Sequence, residues 1–413
     1  MVILDNIVIL RGEIMNVNIE FFSEEALENI ATCLSYSIDK VIYVGYLDNM
    51  KEADTKKLSS LVKEILDVKH VEFVSVTRHS LPDAISTLEN IVTSERQKDN
   101  VCYFDLTGGD DLILVAGGIV AERLRVAMHQ IDLSTGILYE HSPLEDKTSI
   151  LSLKKNTHIL SINDYMRFRG TCVNSNMHKD FKSHIDDDDF VNDIKKLWNI
   201  SCHLKKKWNL YGKYFRTTTL VPIEDYVLCH LDNGDDANAV FSFIKRLAKI
   251  GVILDLRIFK RSFKFKYKNQ RIKDCLCDSG SILELYTYLT AMETGFFDSC
   301  DVGVHLDWDG TMNGWRADVT NEIDGLIMKN NIPTFISCKN GRIDSSALYE
   351  LDAVTSELGG KYAKKLIIST QYHDQALIER AKEMDIVLTN RDIYKWNQDE
   401  FGKFLTNIYK DMN

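Results

Sequence analysis

The stretch Asn321-Glu-Ile-Asp-Gly-Leu-Ile-Met-Lys-Asn-Asn-Ile-Pro-Thr-Phe-Ile-Ser-Cys-Lys-Asn-Gly341 reads as a β-hairpin. Ile323 to Met328 is an apolar run closed by Lys-Asn-Asn, and Thr334 to Cys338 is a second short apolar run. The hairpin sets an acid, Asp324, on one strand and a lysine, Lys339, at the end of the other. An acid and a lysine on adjacent strands suit metal-assisted hydrolysis of a phosphodiester. The carboxylate holds a divalent cation, and the ammonium steadies the attacking water or the developing negative charge of the phosphorane oxygens. For the pair in isolation, a solvated hairpin with polar ends is the plainer reading.

Working outward, the hairpin sits in an α/β domain that starts near Asp278. Ser281 opens a helix to about Glu293, with Glu284 placed as in a capping box. Val302 to Trp308 is a strand; a helix from Ser346 to Leu358, a strand from Lys365 to Ser369, a helix from Gln375 to Glu383 and a short strand from Ile386 to Leu388 follow the hairpin. The sheet is expected to be mixed.

Upstream, Ala237 to Ile250 is an amphipathic helix, followed by strands from Val252 to Phe259 and from Phe263 to Tyr267. A helix and then a hairpin resemble a winged helix. Between Arg257 and Lys273 the chain carries many lysines and arginines and no acid. Phe263-Lys-Phe-Lys-Tyr-Lys268 alternates aromatic and basic residues, which lie on opposite faces of a strand. Lys260, Arg261, Lys264, Lys266 and Lys268 would track phosphates; a packed aromatic face beneath a solvated basic one is the alternative. Residues 150 to 235 carry weaker signals. Asp186 to Asp189 reads as a solvated acidic loop, and Lys205-Lys-Lys-Trp208 as an exposed helix face with one anchoring aromatic.

The first 140 residues alternate strand and helix patterns, which implies a mostly parallel sheet covered on both faces. Strands are expected at Ile3–Leu10, Val41–Tyr46, Val71–Val76 and Val101–Leu106. Helices are expected at Ser23–Ser35, Thr55–Leu66, Leu81–Val92 and Leu112–Arg125. Ligands of such sheets sit at the carboxyl ends of the strands, so two loops matter: Arg11-Gly12 and Thr107-Gly108-Gly109-Asp110. The second lets the backbone approach a ligand closely, and its helix offers free N–H groups to phosphate. A tight strand-to-helix turn would look the same.

The totals narrow the class. With 413 residues the chain has room for two or three domains, and 45% apolar residues is ordinary for a globular protein. No apolar run approaches the roughly 20 residues of a membrane span. The net charge of −11 excludes a generally basic surface, so any nucleic-acid contact must be local. Nine scattered cysteines, odd in number and without CxxC spacing, argue against a disulfide framework and fit a reducing cytoplasm.

A helix glutamate, a strand aspartate and a strand ending in (D/E)xK make up the PD-(D/E)xK nuclease pattern. Glu284, Asp324 and Lys339 occupy those places, and residues 280 to 390 resemble that fold. There is one departure: Ser337 stands where the pattern has an acid. The main-chain carbonyl of Cys338 or a water would complete the metal shell, and Glu322, on the same strand face as Asp324, is a weaker candidate.

With Asp105-Leu-Thr-Gly-Gly-Asp-Asp-Leu-Ile-Leu-Val-Ala, the first third resembles a CARF domain, the Rossmann-like sensor of cyclic oligoadenylates. Together the two patterns resemble the CARF-fused effector nucleases of type III CRISPR–Cas systems. The resemblance implies a CARF domain at 1–145, a winged-helix-like connector at 146–275 and a restriction-endonuclease-like domain at 276–413. It also implies a homodimer, cyclic tetra-adenylate as activator, Mn2+ or Mg2+, and cleavage of single-stranded RNA, DNA or both in antiviral defence. Thr107, Gly108, Gly109 and Asp110 would contact the ring, with Arg11 and Gly12 as the opposite rim. Two alternatives stand beside this: a CARF-type regulator that binds nucleic acid without cutting, which Ser337 keeps open, and a dinucleotide-dependent metabolic enzyme, which the missing GxGxxG disfavours.

Overall fold

The computed structural model describes residues 14–143, 147–152, 158–174, 187–278, 280–308, 310 and 320–410. The chain divides into two compact units, the division falling between Arg169 and Gly170. All nine cysteines are free, and no described helix is long and apolar enough to cross a membrane.

The first unit is built on a seven-stranded sheet. Its strands are β1 (Asn16–Phe21), β2 (Lys40–Tyr46), β3 (His70–Val76), β4 (Val101–Asp105), β5 (Ala127–Asp132), β6 (Ile137–Ser142) and β7 (Lys147–Ser152), in the order β3-β2-β1-β4-β5-β6-β7. The first five are parallel; β6 and β7 add an antiparallel edge. Helices α1 (Ala31–Ser35), α2 (Glu52–Ile65), α3 (Leu81–Arg96), α4 (Asp111–Leu124) and α5 (Ile162–Phe168) complete the Rossmann-like arrangement expected from the sequence.

One expected helix shortens here, and a strand appears that the sequence reading did not name. Ile3–Leu10 lies outside the described residues, and the middle one of the five parallel strands is β1, whose Asn18 and Glu20 are fully buried. Their polarity hides the strand in the sequence; Asn18 Nδ2 donates to Glu20 Oε2 at 3.0 Å. The helix expected from Ser23 shrinks to a 3₁₀ turn at Glu28–Ile30 followed by α1. Ser23 Oγ accepts from the Glu25 N–H at 3.1 Å and donates to Glu28 at 2.6 Å, while Asn29 holds the Ser23 backbone, so local side-chain bonds replace the first helical turns.

In the second unit the described chain begins with β8 (Cys172–Val173), then α6 (Asp188–Leu204) and α7 (Lys206–Arg216). Asp187 caps α6 and Asp188 and Asp189 fill its first turn, so these residues start a helix rather than a loop; carboxylates there suit the positive end of the helix dipole. Asp186 lies outside the described residues. Trp208 is buried and Lys206 and Lys207 are exposed, as expected. Next come β9 (Val227–His230), α8 (Ala237–Lys249), β10 (Ile253–Ile258) and β11 (Ser262–Tyr267), a three-stranded antiparallel sheet beside an amphipathic helix. Phe263, Phe265 and Tyr267 are buried beneath it.

The remainder comprises α9 (Gln270–Cys277), α10 (Ser281–Glu293), β12 (Ser299–Asp307), β13 (Thr320–Lys329), β14 (Ile332–Lys339), α11 (Ser345–Val354), β15 (Lys364–Ser369), α12 (Gln375–Glu383), β16 (Ile386–Leu388) and α13 (Gln398–Asn407). The mixed sheet runs β16-β15-β14-β13-β12-β8, parallel from β16 to β14 and antiparallel beyond. The β13–β14 hairpin turns at Asn330 and Asn331, both at positive φ (50° and 64°), the geometry of a type I′ turn. The helix expected to reach Leu358 ends at Val354 and continues as a π-turn, Thr355–Gly359. One hydrophobic core runs from Phe190 on α6 to Leu405 on α13, so connector and hairpin domain share their packing.

Candidate active site

The β13–β14 ladder ends at the rung Gly325–Ile336. One step further the register would set Asp324 opposite Ser337, and there a side chain takes over from the backbone. Asp324 Oδ2 accepts the Cys338 N–H at 2.7 Å and the Ser337 hydroxyl at 3.3 Å, and Lys339 Nζ lies 3.7 Å from it. On the other flank Gly303, which the β12–β13 register sets opposite Asp324, has φ +61°. The sheet therefore opens at Asp324. Burial pushes its carboxyl above the ordinary aspartate value; Lys339, the Cys338 N–H and the Ser337 hydroxyl pull it back, and Glu322 pushes it up again. A half-buried acid facing a lysine is a common functional arrangement.

Glu284 does not form the expected capping box. Gly280 is the N-cap of α10 without a side-chain bond, and Ser281 Oγ donates to Asp278 at 2.8 Å instead. The Glu284 carboxylate reaches back over Gly280, where an added Cβ would lie 2.7 Å from its Oε1. Burial pushes the Cys338 thiol well up, and the charges of Asp324 and Glu284 add to it. Glu322 is more exposed, with His305 Nε2 at 3.9 Å. The Cys338 N–H faces Asp324, and in an extended strand the carbonyl of the same residue lies along the same edge.

Among the described residues no three histidine, cysteine or acidic side chains form a ready metal cluster. The candidate donors Asp324, Glu284 and the Cys338 carbonyl are all oxygens. Such a set, with positions left for water, fits a hard divalent cation.

Residues 274–400 match the family described as Card1-like, endonuclease domain. This part of the chain is thus similar to a Card1-like endonuclease domain. It contains Glu284, Asp324 and Lys339, and the alternative of a regulator that binds without cutting gives way to a nuclease. Among solved structures, protein VC1899 from Vibrio cholerae is similar with a TM-score of 0.73 at 14% identity, over 96% of this chain and 98% of that one. Can2 from Sulfobacillus thermosulfidooxidans, solved in complex with cyclic tetra-adenylate, has a TM-score of 0.66 at 13% identity, over 94% and 98%. At these identities the likeness is one of fold. No curated protein matches the chain in sequence.

The sequence reading missed Asn340, next to the lysine of the Card1-like domain. Its Oδ1 accepts from Thr370 Oγ1 at 3.0 Å and from Tyr394 OH at 3.2 Å. Its Nδ2 donates to Asn209 Oδ1 at 3.1 Å, and Asn209 Nδ2 donates to the Asn340 carbonyl. These bonds pin the end of β14 and with it the base of Lys339. No local pattern announces the clamp, because its partners stand 30 to 131 residues away.

Of the other expected contact residues, Thr107 to Asp110 lie at the carboxyl end of β4. Gly109 has φ +110°, and an added Cβ would lie 2.5 Å from Phe21 Cβ, so only glycine fits. Asp110 caps α4 and accepts from Tyr46 OH at 2.8 Å. Arg11 and Gly12 lie outside the described residues. In the basic hairpin, Lys264 and Lys266 stand 4.7 and 4.8 Å over the Tyr226 ring, and Lys260 is exposed. Arg261 donates to the Asp232 carbonyl. Lys268 pairs with Asp189 at 2.6 Å and with the buried Asp193 at 2.5 Å, which ties it into the unit.

Proposed function

We propose that the chain is a cyclic-oligoadenylate-activated, divalent-metal-dependent endonuclease of type III CRISPR antiviral defence, working as a homodimer on DNA, single-stranded RNA or both. The observation that carries this is the Asp324–Lys339 pair at the opened sheet edge of the Card1-like domain. Asp324 and Glu284, with the Cys338 carbonyl and more weakly Glu322, would hold Mn2+ or Mg2+. The cation supplies Lewis-acid activation of water and charge neutralisation at the phosphate. Lys339, held within reach of Asp324 by the Asn340 clamp, orients the attacking water and opposes the developing negative charge.

The activator reading is supported by Can2, whose structure holds cyclic tetra-adenylate. Thr107, Gly108, Gly109 and Asp110, with Arg11 and Gly12, would contact the ring. To activate, the ring must bind the cutting state of the dimer more tightly than the resting state. Lys260, Arg261, Lys264 and Lys266 would meet the nucleic-acid backbone, with Lys268 fixing the ribbon on α6. The test is incubation of the full chain with supercoiled plasmid or labelled single-stranded RNA, with and without Mn2+ and cyclic tetra-adenylate. Cleavage that needs both additions is expected; no cleavage with any divalent metal overturns the reading.

A further inference from the structure

A cleft of about 510 Å³ opens at the carboxyl ends of β2 and β3 in the first unit, within the ~300–1,000 Å³ usual for small-molecule sites. Tyr46 to Asp48 line one side and Ser75 to Arg78 the other. The Arg78 guanidinium lies 4.5 Å from the centre of the Tyr46 ring and donates to Asp48 at 2.7 Å and to Asn49 at 3.0 Å. The ring itself is buried, and its hydroxyl donates to Asp110. A line of contacts thus runs from Arg78 through Tyr46 to the Thr107–Asp110 loop.

The strand order β3-β2-β1-β4 places this cleft two to three strand spacings from that loop, on the order of 10–14 Å. A ligand engaging both must be longer than one phosphate. Leu47, beside the guanidinium, is 73% exposed and offers an apolar surface. An exposed ion pair such as Arg78–Asp48 contributes little, so exchanging Asp48 for a phosphate costs little. The guanidinium already sits over an aromatic ring, and its fork matches two phosphate oxygens.

We propose that this cleft is a nucleotide subsite of the sensor, in which Arg78 leaves Asp48 for a phosphate of the adenylate ring and Leu47 covers the neighbouring base. The proposal rests on the sensor reading given above. The test is calorimetric titration of the full chain with cyclic tri-, tetra- and hexa-adenylate as probes. Arg78→Ala is expected to weaken binding about tenfold to a hundredfold, the worth of a charge-assisted bond. Asp48→Asn, by releasing Arg78, is expected to tighten it about two- to fivefold. If the alanine variant melts early, Arg78→Lys keeps the charge without the fork and must still bind more weakly than the unaltered protein. Binding by Arg78→Ala within about twofold of the unaltered protein, or weaker binding by Asp48→Asn, overturns the subsite and leaves the sensor reading standing. If none of the three rings binds the unaltered protein, sensor and subsite fall together.

Discussion

Asp324 Oδ2 faces three donors of unequal weight, and the weights order the expected effects of substitution. Lys339→Ala removes the only cationic one and should lower kcat by about 10²–10³-fold, as loss of a transition-state donor does. Its affinity for cyclic tetra-adenylate should be unchanged. Full residual activity would remove Lys339 from the mechanism. Asp324→Asn removes the charge proposed to hold the cation, so calorimetric titration with Mn2+ should show weaker binding; an unchanged isotherm contradicts that role. Ser337→Ala gives up only a bond of 3.3 Å and should cost less than either. Asn340 acts by position: its clamp holds the end of β14 on which Lys339 stands.

Among the elements, the β2–α3 contact carries the clearest pH dependence. Lys40 and Glu95 are buried together at 3.0 Å, and Lys98 and Asn100 each donate to Glu95 at 2.7 Å. Burial pushes the Glu95 carboxyl up, but the bonds from Lys98, Asn100 and Lys40 outweigh it and hold it at about 2, below its ordinary 4.5. The folded state therefore prefers the ionised form. Its stabilisation is complete above pH 4.5 and is lost as pH falls toward about 2. Glu95→Gln should cost about 3 kcal/mol in urea unfolding at neutral pH, with the difference shrinking below the ordinary glutamate range. Equal stability at neutral pH would show that the pair contributes nothing. Elements with a clean apolar period, such as β3, α3, α12 and β16, are legible in the sequence within a few residues at their ends. The strand β1 is not, because its second face buries Asn18 and Glu20, and α1 is shortened because Ser23 and Asn29 bond locally.

For the whole molecule, an overall charge of −11 makes any grip on nucleic acid a local affair. If the β10–β11 ribbon provides it, Lys264→Gln with Lys266→Gln should weaken binding and flatten the salt dependence by roughly 1.5–2 logarithmic units per decade of salt. An unchanged slope would make the ribbon purely structural. Light scattering should find a dimer, and saturating cyclic tetra-adenylate should raise the melting temperature; a monomer under all conditions would exclude the dimer. By itself the sequence determined the α/β class and the order of most elements, and it singled out Glu284, Asp324 and Lys339 as candidates, because side-chain chemistry and apolar period are properties of short stretches. Only the tertiary structure decided that Asp324 binds the Cys338 N–H where the sheet opens, that Asn340 is clamped from α7, the residue after β15 and the turn before α13, and that Arg78 reaches the Thr107–Asp110 loop through Tyr46. Those contacts depend on strand order and register between distant segments, and no local pattern encodes which strands become neighbours.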